Sequence, residues 1–173
     1  MKNLILVGFM GTGKTTVGVA LADSLGIAHN DLDHAIIEEA GCSIPELFAR
    51  HGEAYFRDLE SRLLSQLLDN GPQVLTTGGG AVLRRQNVEV MLAKGTVIAL
   101  HASEEELIRR LENDTSRPLL AGGVAERVRT LLAERAGAYD FAPIQVDTTG
   151  KSLRAVVDEI RAQVVESAED GQQ

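Results

Sequence analysis

Between a short apolar run at 4–7 and a helix-like segment from residue 15 lies Gly8-Phe9-Met10-Gly11-Thr12-Gly13-Lys14-Thr15, and no other feature constrains the chain as much. It satisfies the pattern G-x-x-x-x-G-K-[ST] in the strand-loop-helix setting the pattern requires. In such a loop the glycines let backbone N–H groups turn inward around phosphate oxygens, and the following helix offers the positive end of its dipole to the same anion. Lys14 is then placed to bridge the outer phosphates of a nucleotide, and the Thr15 hydroxyl to face Mg²⁺. The bland alternative is a glycine-rich turn that binds nothing. At average residue frequencies, however, the four fixed positions arise in a chain of this length in under about one case in a hundred. The loop predicts nucleotide binding and an α/β fold, but not the chemistry, because ATPases, GTPases and kinases share it.

The rest of the sequence agrees with that fold. Apolar runs of strand length recur at 4–7, 74–76, 97–100 and 144–146, separated by helix-like sequence, which favours a parallel sheet. A weaker strand is expected to end near Asp31, since Ile27-Ala28-His29-Asn30 has little β-propensity. Helices are predicted over 15–25, 33–40, 43–51, 54–68, 86–94, 103–111, 124–139 and 153–165. Ser43 with Glu46 and Ser103 with Glu106 have capping-box spacing. The polar stretch 112–123, with Pro118 and Gly122-Gly123, reads as a mobile lid, and 167–173 as a disordered acidic tail. With 173 residues, one domain over 1–166 is expected. Aromatic residues make up only 3%, so Leu, Val, Ile and Ala must build the core.

A formal charge of −8 argues against general affinity for nucleic acid or an anionic membrane, so any anionic ligand must be held by a local cluster. Cys42 is the only cysteine, which precludes an intramolecular disulfide and suits a reducing cytoplasm. The apolar run at the start is too short for a signal peptide or a membrane span, so a cytoplasmic, unprocessed protein is expected.

Candidates for an acceptor site lie outside the loop. Asp31 and Asp33 flank Leu32 at the expected carboxyl end of the second strand, where extended chain points both carboxylates to one side. One would orient the metal's water shell and the other accept a proton from an attacking hydroxyl; the plain alternative is a helix cap. Arg57 and Glu60 stand three apart on a predicted helix, and Arg135 sits four residues before Tyr139. Each taken alone reads as a solvated ion pair or face, but two converging guanidinium forks would bind a carboxylate bidentately. Gly78-Gly79-Gly80 follows the third strand at the sheet edge where open α/β folds bind ligands, and suggests close approach of backbone to substrate. Arg117, in Arg117-Pro118-Leu119-Leu120, would close onto a transferring phosphoryl group.

Taken together these motifs resemble the shikimate kinase family over about residues 2–165: the P-loop running into Thr16-Val17-Gly18, Asp31-Leu32-Asp33, Phe56-Arg57 with Glu60, Gly78-Gly79-Gly80, Arg117-Pro118-Leu119-Leu120, and Glu134-Arg135 with Tyr139. The resemblance implies a three-layer α/β/α P-loop kinase fold with a central five-stranded parallel sheet and a mobile lid. It also implies ATP- and Mg²⁺-dependent phosphorylation of the 3-hydroxyl of shikimate, on the way to aromatic amino acids, by a monomer. Under it Asp33 is the base and contacts the hydroxyls, Arg57 and Arg135 hold the carboxylate, Gly79 and Gly80 give backbone contacts, and Glu60 braces Arg57. Gly11, Thr12, Gly13, Lys14, Thr15, Thr16, Arg110 and Arg117 bind ATP, Lys14 and Arg117 also serving catalysis. Thr15 binds the metal directly and Asp31 through water. Arg110 stacks on adenine in this scheme, although the adjacent Arg109 is open to the same role. The 148–151 segment, which contributes only Lys151, departs from the basic loop such proteins present. Rival readings are a gluconate or nucleoside monophosphate kinase, or a P-loop protein that uses nucleotide as an assembly signal.

Overall fold

The computed structural model describes residues 1–113 and 123–170. The chain begins β1 (Asn3–Gly8), α1 (Lys14–Leu25), β2 (Ala28–Asp31), α2 (Leu32–Ala40), α3 (Ile44–Leu68) and β3 (Gln73–Thr76), with two consecutive helices between the second and third strands. A single 3₁₀ turn (Ala81–Leu83) leads into α4 (Arg85–Lys94), β4 (Gly95–His101), α5 (Glu104–Glu112), α6 (Val124–Glu134), β5 (Ile144–Asp147) and α7 (Leu153–Asp170). The five strands form one parallel sheet in the order β2-β3-β1-β4-β5.

The alternation of side chains along β1 divides the core in two. Leu4 and Leu6 pack with Val17 and Leu21 of α1 and with Val156, Val157 and Ile160 of α7. Ile5 and Val7 face the opposite way, toward Ile36 of α2, Leu63 and Leu64 of α3, Met91 of α4 and Leu107 of α5. Helices therefore cover both faces of the sheet, and every residue of β1 is buried, as an interior parallel strand requires. Fully burying an aliphatic side chain stabilises by about 1.5–3 kcal/mol. These two clusters, rather than the short polar edge strand β2, hold the layers together. β2 is fixed instead by its ladder with β3, from Ala28 opposite Gln73 to Asp31 opposite Thr76, and by a 2.8 Å bond from Asn30 Nδ2 to Gln73 Oε1.

Local signals set most helix ends. Ser43 and Ser103 accept from the backbone N–H of Glu46 and Glu106, as the capping boxes foretold. α3 is interrupted at Gly52, whose φ of 82° and ψ of 173° are not helical, so its two halves correspond to the separate helices expected over 43–51 and 54–68. Two boundaries differ from expectation. α6 stops at Glu134 instead of continuing to 139, because Arg135 leaves helical geometry and Gly137 turns the chain at φ 77°. α7 runs on to Asp170, past residue 167 where the sequence pattern fades. Nearly all of the expected lid lies at 114–122, outside the described residues. Among the described residues, no helix is long and apolar enough to cross a membrane.

Candidate active site

The loop after β1 opens at the carboxyl edge of the sheet, between β3 and β4, where a crevice forms in open α/β folds. Gly11 and Gly13 hold φ values of 82° and 89°, a region that costs a residue with a Cβ about 1–2 kcal/mol. No side chain caps α1, so its first N–H groups remain directed into the loop. Thr12 Oγ1 donates to Phe9 O at 2.8 Å and holds the turn, while Lys14 Nζ donates to Gly8 O (2.7 Å) and Phe9 O (3.0 Å). Arg110 Nη1 reaches across from α5 to donate to Gly11 O at 3.0 Å, and also bonds the buried Thr148 Oγ1 at 3.3 Å. The Arg109 side chain is two-thirds exposed and bonds only Glu106 among the described residues, so of the two neighbours it is Arg110 that lies against the loop.

Beside the loop is a cleft of about 290 Å³, whose walls include Lys14, Thr15, Thr16, Asp31, Asp33, Gly78 and Gly79. Asp31 is held through both oxygens. Oδ1 caps α2 by accepting from His34 N at 3.0 Å, and Oδ2 accepts from Thr76 Oγ1 at 2.7 Å and Thr15 Oγ1 at 3.4 Å. The helix cap and the carboxylate expected to face the metal's water shell are thus the same residue. Asp33 is not in extended chain, as the sequence suggested, but in the first turn of α2. The two carboxylates meet at the cleft because the chain bends into a helix between them. Thr15 Oγ1 and Asp31 Oδ2 form an all-oxygen pair that suits Mg²⁺, an ion that takes few protein ligands and completes its shell with phosphate oxygens and water.

The glycine run explains how the remaining charges are gathered. A Cβ built on Gly78 would lie 2.9 Å from Asp33 Oδ1, and one on Gly79 would lie 2.8 Å from Arg135 Nη1. One on Gly80 would strike the Arg57 guanidinium, with Cζ at 2.9 Å. Three consecutive glycines therefore admit three charged side chains, from α2, from the end of α6 and from α3. The sequence pointed to close approach of substrate; what the bare backbone visibly accommodates is protein charge.

The two guanidinium groups are also braced. Arg57 Nη1 bonds Glu60 Oε1 at 2.7 Å, and its Cζ stands 5.1 Å from the Phe56 ring centroid. Glu60 is only 1% exposed, so the pair is not the solvated contact its spacing allowed. Burial raises the Glu60 pKa above the ordinary carboxyl value, the Arg57 charge and hydrogen bond pull it back, and the Asp33 charge adds to the rise. Arg135 Cζ lies 5.6 Å from the Phe9 ring centroid. Among the described residues its Nη1 is buried without a hydrogen-bond partner, a donor beside Gly79. Tyr139 Oη donates to Gly79 O at 2.7 Å, and burial raises its pKa against the opposing influence of Arg135, which keeps the phenol a donor.

Gly11, Thr12, Gly13, Lys14, Thr15, Thr16 and Arg110 are thus brought to the loop, and Asp33, Arg57 and Arg135 to the glycine run that holds Gly79 and Gly80. Arg117 lies outside the described residues. Lys151 turns away, pairing with Glu159 at 2.8 Å. Thr76, Thr148 and His29 carry contacts that the sequence did not single out; the polarity of His29 and Thr76 at strand positions was the available signal.

A P-loop at the head of a 2-3-1-4-5 parallel sheet, with one acidic and two basic groups gathered at the glycine run beside it, fits a P-loop kinase of small molecules. The family model for shikimate kinase matches residues 10–165. Shikimate kinases from Geobacter metallireducens and Enterococcus faecalis are 46% and 42% identical, over 92% and 96% of this chain and 90% and 100% of theirs. The chain belongs to the shikimate kinase family. In structure it is similar to the shikimate kinase of Acinetobacter baumannii in complex with shikimate (TM-score 0.89, 36% identity, covering 96% of this chain and 94% of that one). A gluconokinase from Sinorhizobium meliloti, 19% identical at TM-score 0.63, shares the fold alone.

Proposed function

We propose that the protein transfers the γ-phosphoryl group of ATP to the 3-hydroxyl of shikimate, giving shikimate 3-phosphate and ADP. One observation carries this reading: Asp33, Arg57 and Arg135, from three separate elements, converge on Gly78-Gly79-Gly80 beside the P-loop. Shikimate is a carboxylate bearing hydroxyls on a rigid ring. Two guanidinium forks suit the carboxylate, and a carboxylate base suits the hydroxyl end.

In this reading the P-loop amides of residues 11–16 hold the phosphates, and Arg110 supports the nucleotide side from its place on Gly11. Arg57, held straight by Glu60, and Arg135, whose Nη1 has no hydrogen-bond partner among the described residues, clamp the substrate carboxylate. Asp33 accepts the hydroxyl proton at a carboxylate oxygen as the hydroxyl oxygen bonds to the γ-phosphorus and the bond to the β–γ bridging oxygen breaks. Lys14 follows the charge that develops on the phosphoryl oxygens. Mg²⁺ bound with the nucleotide neutralises β- and γ-phosphate charge, and Thr15 and, through water, Asp31 are the residues that would hold it. Most of the acceleration then comes from positioning and electrostatics, because the transition state is loose and asks little of a base. All the named side chains belong to one chain, so a monomer suffices. A single cysteine is in keeping with a cytoplasmic setting.

The test is an ADP-release assay with shikimate, gluconate and AMP as acceptors. Release that depends on shikimate alone is expected. Release driven by gluconate or AMP, or by no acceptor at all, would overturn the assignment.

A further inference from the structure

On the face of β2 that looks toward α1, His29 precedes Asp31 by two residues, and Thr76 of β3 stands directly opposite Asp31 in the ladder. The three side chains are linked. His29 Nε2 lies 3.1 Å from Thr76 Oγ1, and Thr76 Oγ1 lies 2.7 Å from Asp31 Oδ2. Thr76 is fully buried. Gly18 of α1 makes room for the arrangement: a Cβ there would collide with the Thr76 methyl and come within 3.2 Å of His29 Cδ2 and Nε2.

Proton counting gives the link a direction. The Thr76 hydroxyl has one hydrogen, and its oxygen faces three groups: His29 Nε2, the Asn30 carbonyl at 3.4 Å and Asp31 Oδ2. Neither the carbonyl nor the carboxylate can donate. The shortest contact takes the Thr76 proton, so Thr76 is left to accept, and His29 must present N–H at Nε2. With its hydroxyl so fixed, Thr76 holds Asp31 Oδ2, the oxygen that also receives the Thr15 hydroxyl. A Thr15 proton engaged there leaves the Thr15 lone pairs directed away from Asp31.

From this we infer that His29 is a positioning residue for the metal-facing pair: acting through Thr76, it fixes the orientation of Asp31 Oδ2 and hence the Mg²⁺ requirement of nucleotide binding. The inference rests on the reading that Thr15 and Asp31 serve the metal of a bound nucleotide. Outer partners of metal-facing groups commonly change metal affinity about 10- to 100-fold, and one residue further out the expected effect is smaller, about three- to tenfold.

The test measures ADP binding calorimetrically across a Mg²⁺ series. His29→Phe keeps the bulk and removes the donor, and it should raise the Mg²⁺ concentration giving half-maximal enhancement of ADP binding by about three- to tenfold. ADP affinity without Mg²⁺ and the KM for shikimate should stay within about twofold. His29→Gln, which restores an N–H donor, should recover the wild-type response. Thr76→Val should show the same defect, and adding His29→Phe to it should bring no further loss. An unchanged Mg²⁺ requirement in His29→Phe, or additive losses in the double variant, would overturn the inference while leaving the metal reading intact. Wild-type ADP binding indifferent to Mg²⁺ would remove both. On the unaltered protein, long-range ¹H–¹⁵N correlation should find the His29 ring protonated at Nε2, and a ring bearing its proton on Nδ1 alone would sink the inference even if a variant failed to fold.

Discussion

The two halves of the site are built by different means. The phosphate side is nearly all local: Gly8 to Thr15 supplies the turn, the left-handed glycines, the uncapped helix start and the lysine within eight consecutive residues. The proposed acceptor side draws Asp33 from α2, Arg57 from α3, Gly78-Gly79-Gly80 from after β3 and Arg135 from the end of α6, and it exists only when those elements are packed. A phosphate is recognised by backbone and dipole, which a short loop can hold. A specific hydroxy acid needs charges at fixed distances, and only a folded core supplies those. The first half should therefore fail chemically when altered, and the second should fail in ways that mix binding with stability.

Lys14→Met removes the one side-chain charge of the loop and should lower kcat by about 10³-fold with the fold unchanged, as single-turnover kinetics and circular dichroism would register. A comparable loss of thermal stability would break the distinction. Arg57→Leu should do the reverse, destabilising by about 3 kcal/mol because it leaves Glu60 buried without its partner. It also predicts a pH signature. Burial already lifts Glu60 above the ordinary carboxyl value, so the folded protein keeps this proton to higher pH than the unfolded chain. The stability it confers is present at low pH and is lost as pH rises through the raised value. Without Arg57 to oppose burial, the variant's Tm should fall more steeply than wild type between acid and neutral pH. Adding Glu60→Gln should level that slope.

Asp33→Asn should cut kcat by about 10²-fold and leave ADP affinity untouched, since general bases contribute at that scale and this transition state asks little of one. Equal activity in the variant would remove Asp33 from the chemistry. Gly80→Ala should have the mildest effect, raising the KM for shikimate about tenfold through displacement of Arg57, again with ADP binding unchanged. A parallel loss of ADP affinity would show that the two halves are not separable.

The same contrast decided what could be read from sequence. The loop was legible because every determinant lies within one turn of chain. The strands, the Ser43 and Ser103 caps and the break near Gly52 were legible for the same reason. Family likeness alone joins Arg57 to Arg135, since nothing in their spacing brings them together. Extended alternation puts Asp31 and Asp33 on one side, but Asp31 in fact starts a helix, and it is the helical turn that brings both to the cleft. The end of α6 was overrun although Gly137 marks it. The His29–Thr76–Asp31 chain was out of reach, because it depends on the pairing register of strands some 45 residues apart.

The bare backbone at 78–80 also bears on how such a protein can change. A methyl group at any of the three positions displaces a different charge, so no single step along that segment leaves all three undisturbed. A new acceptor preference would have to arise from the helices inward, by reshaping what α2, α3 and α6 present, while the strand end that receives them stays fixed.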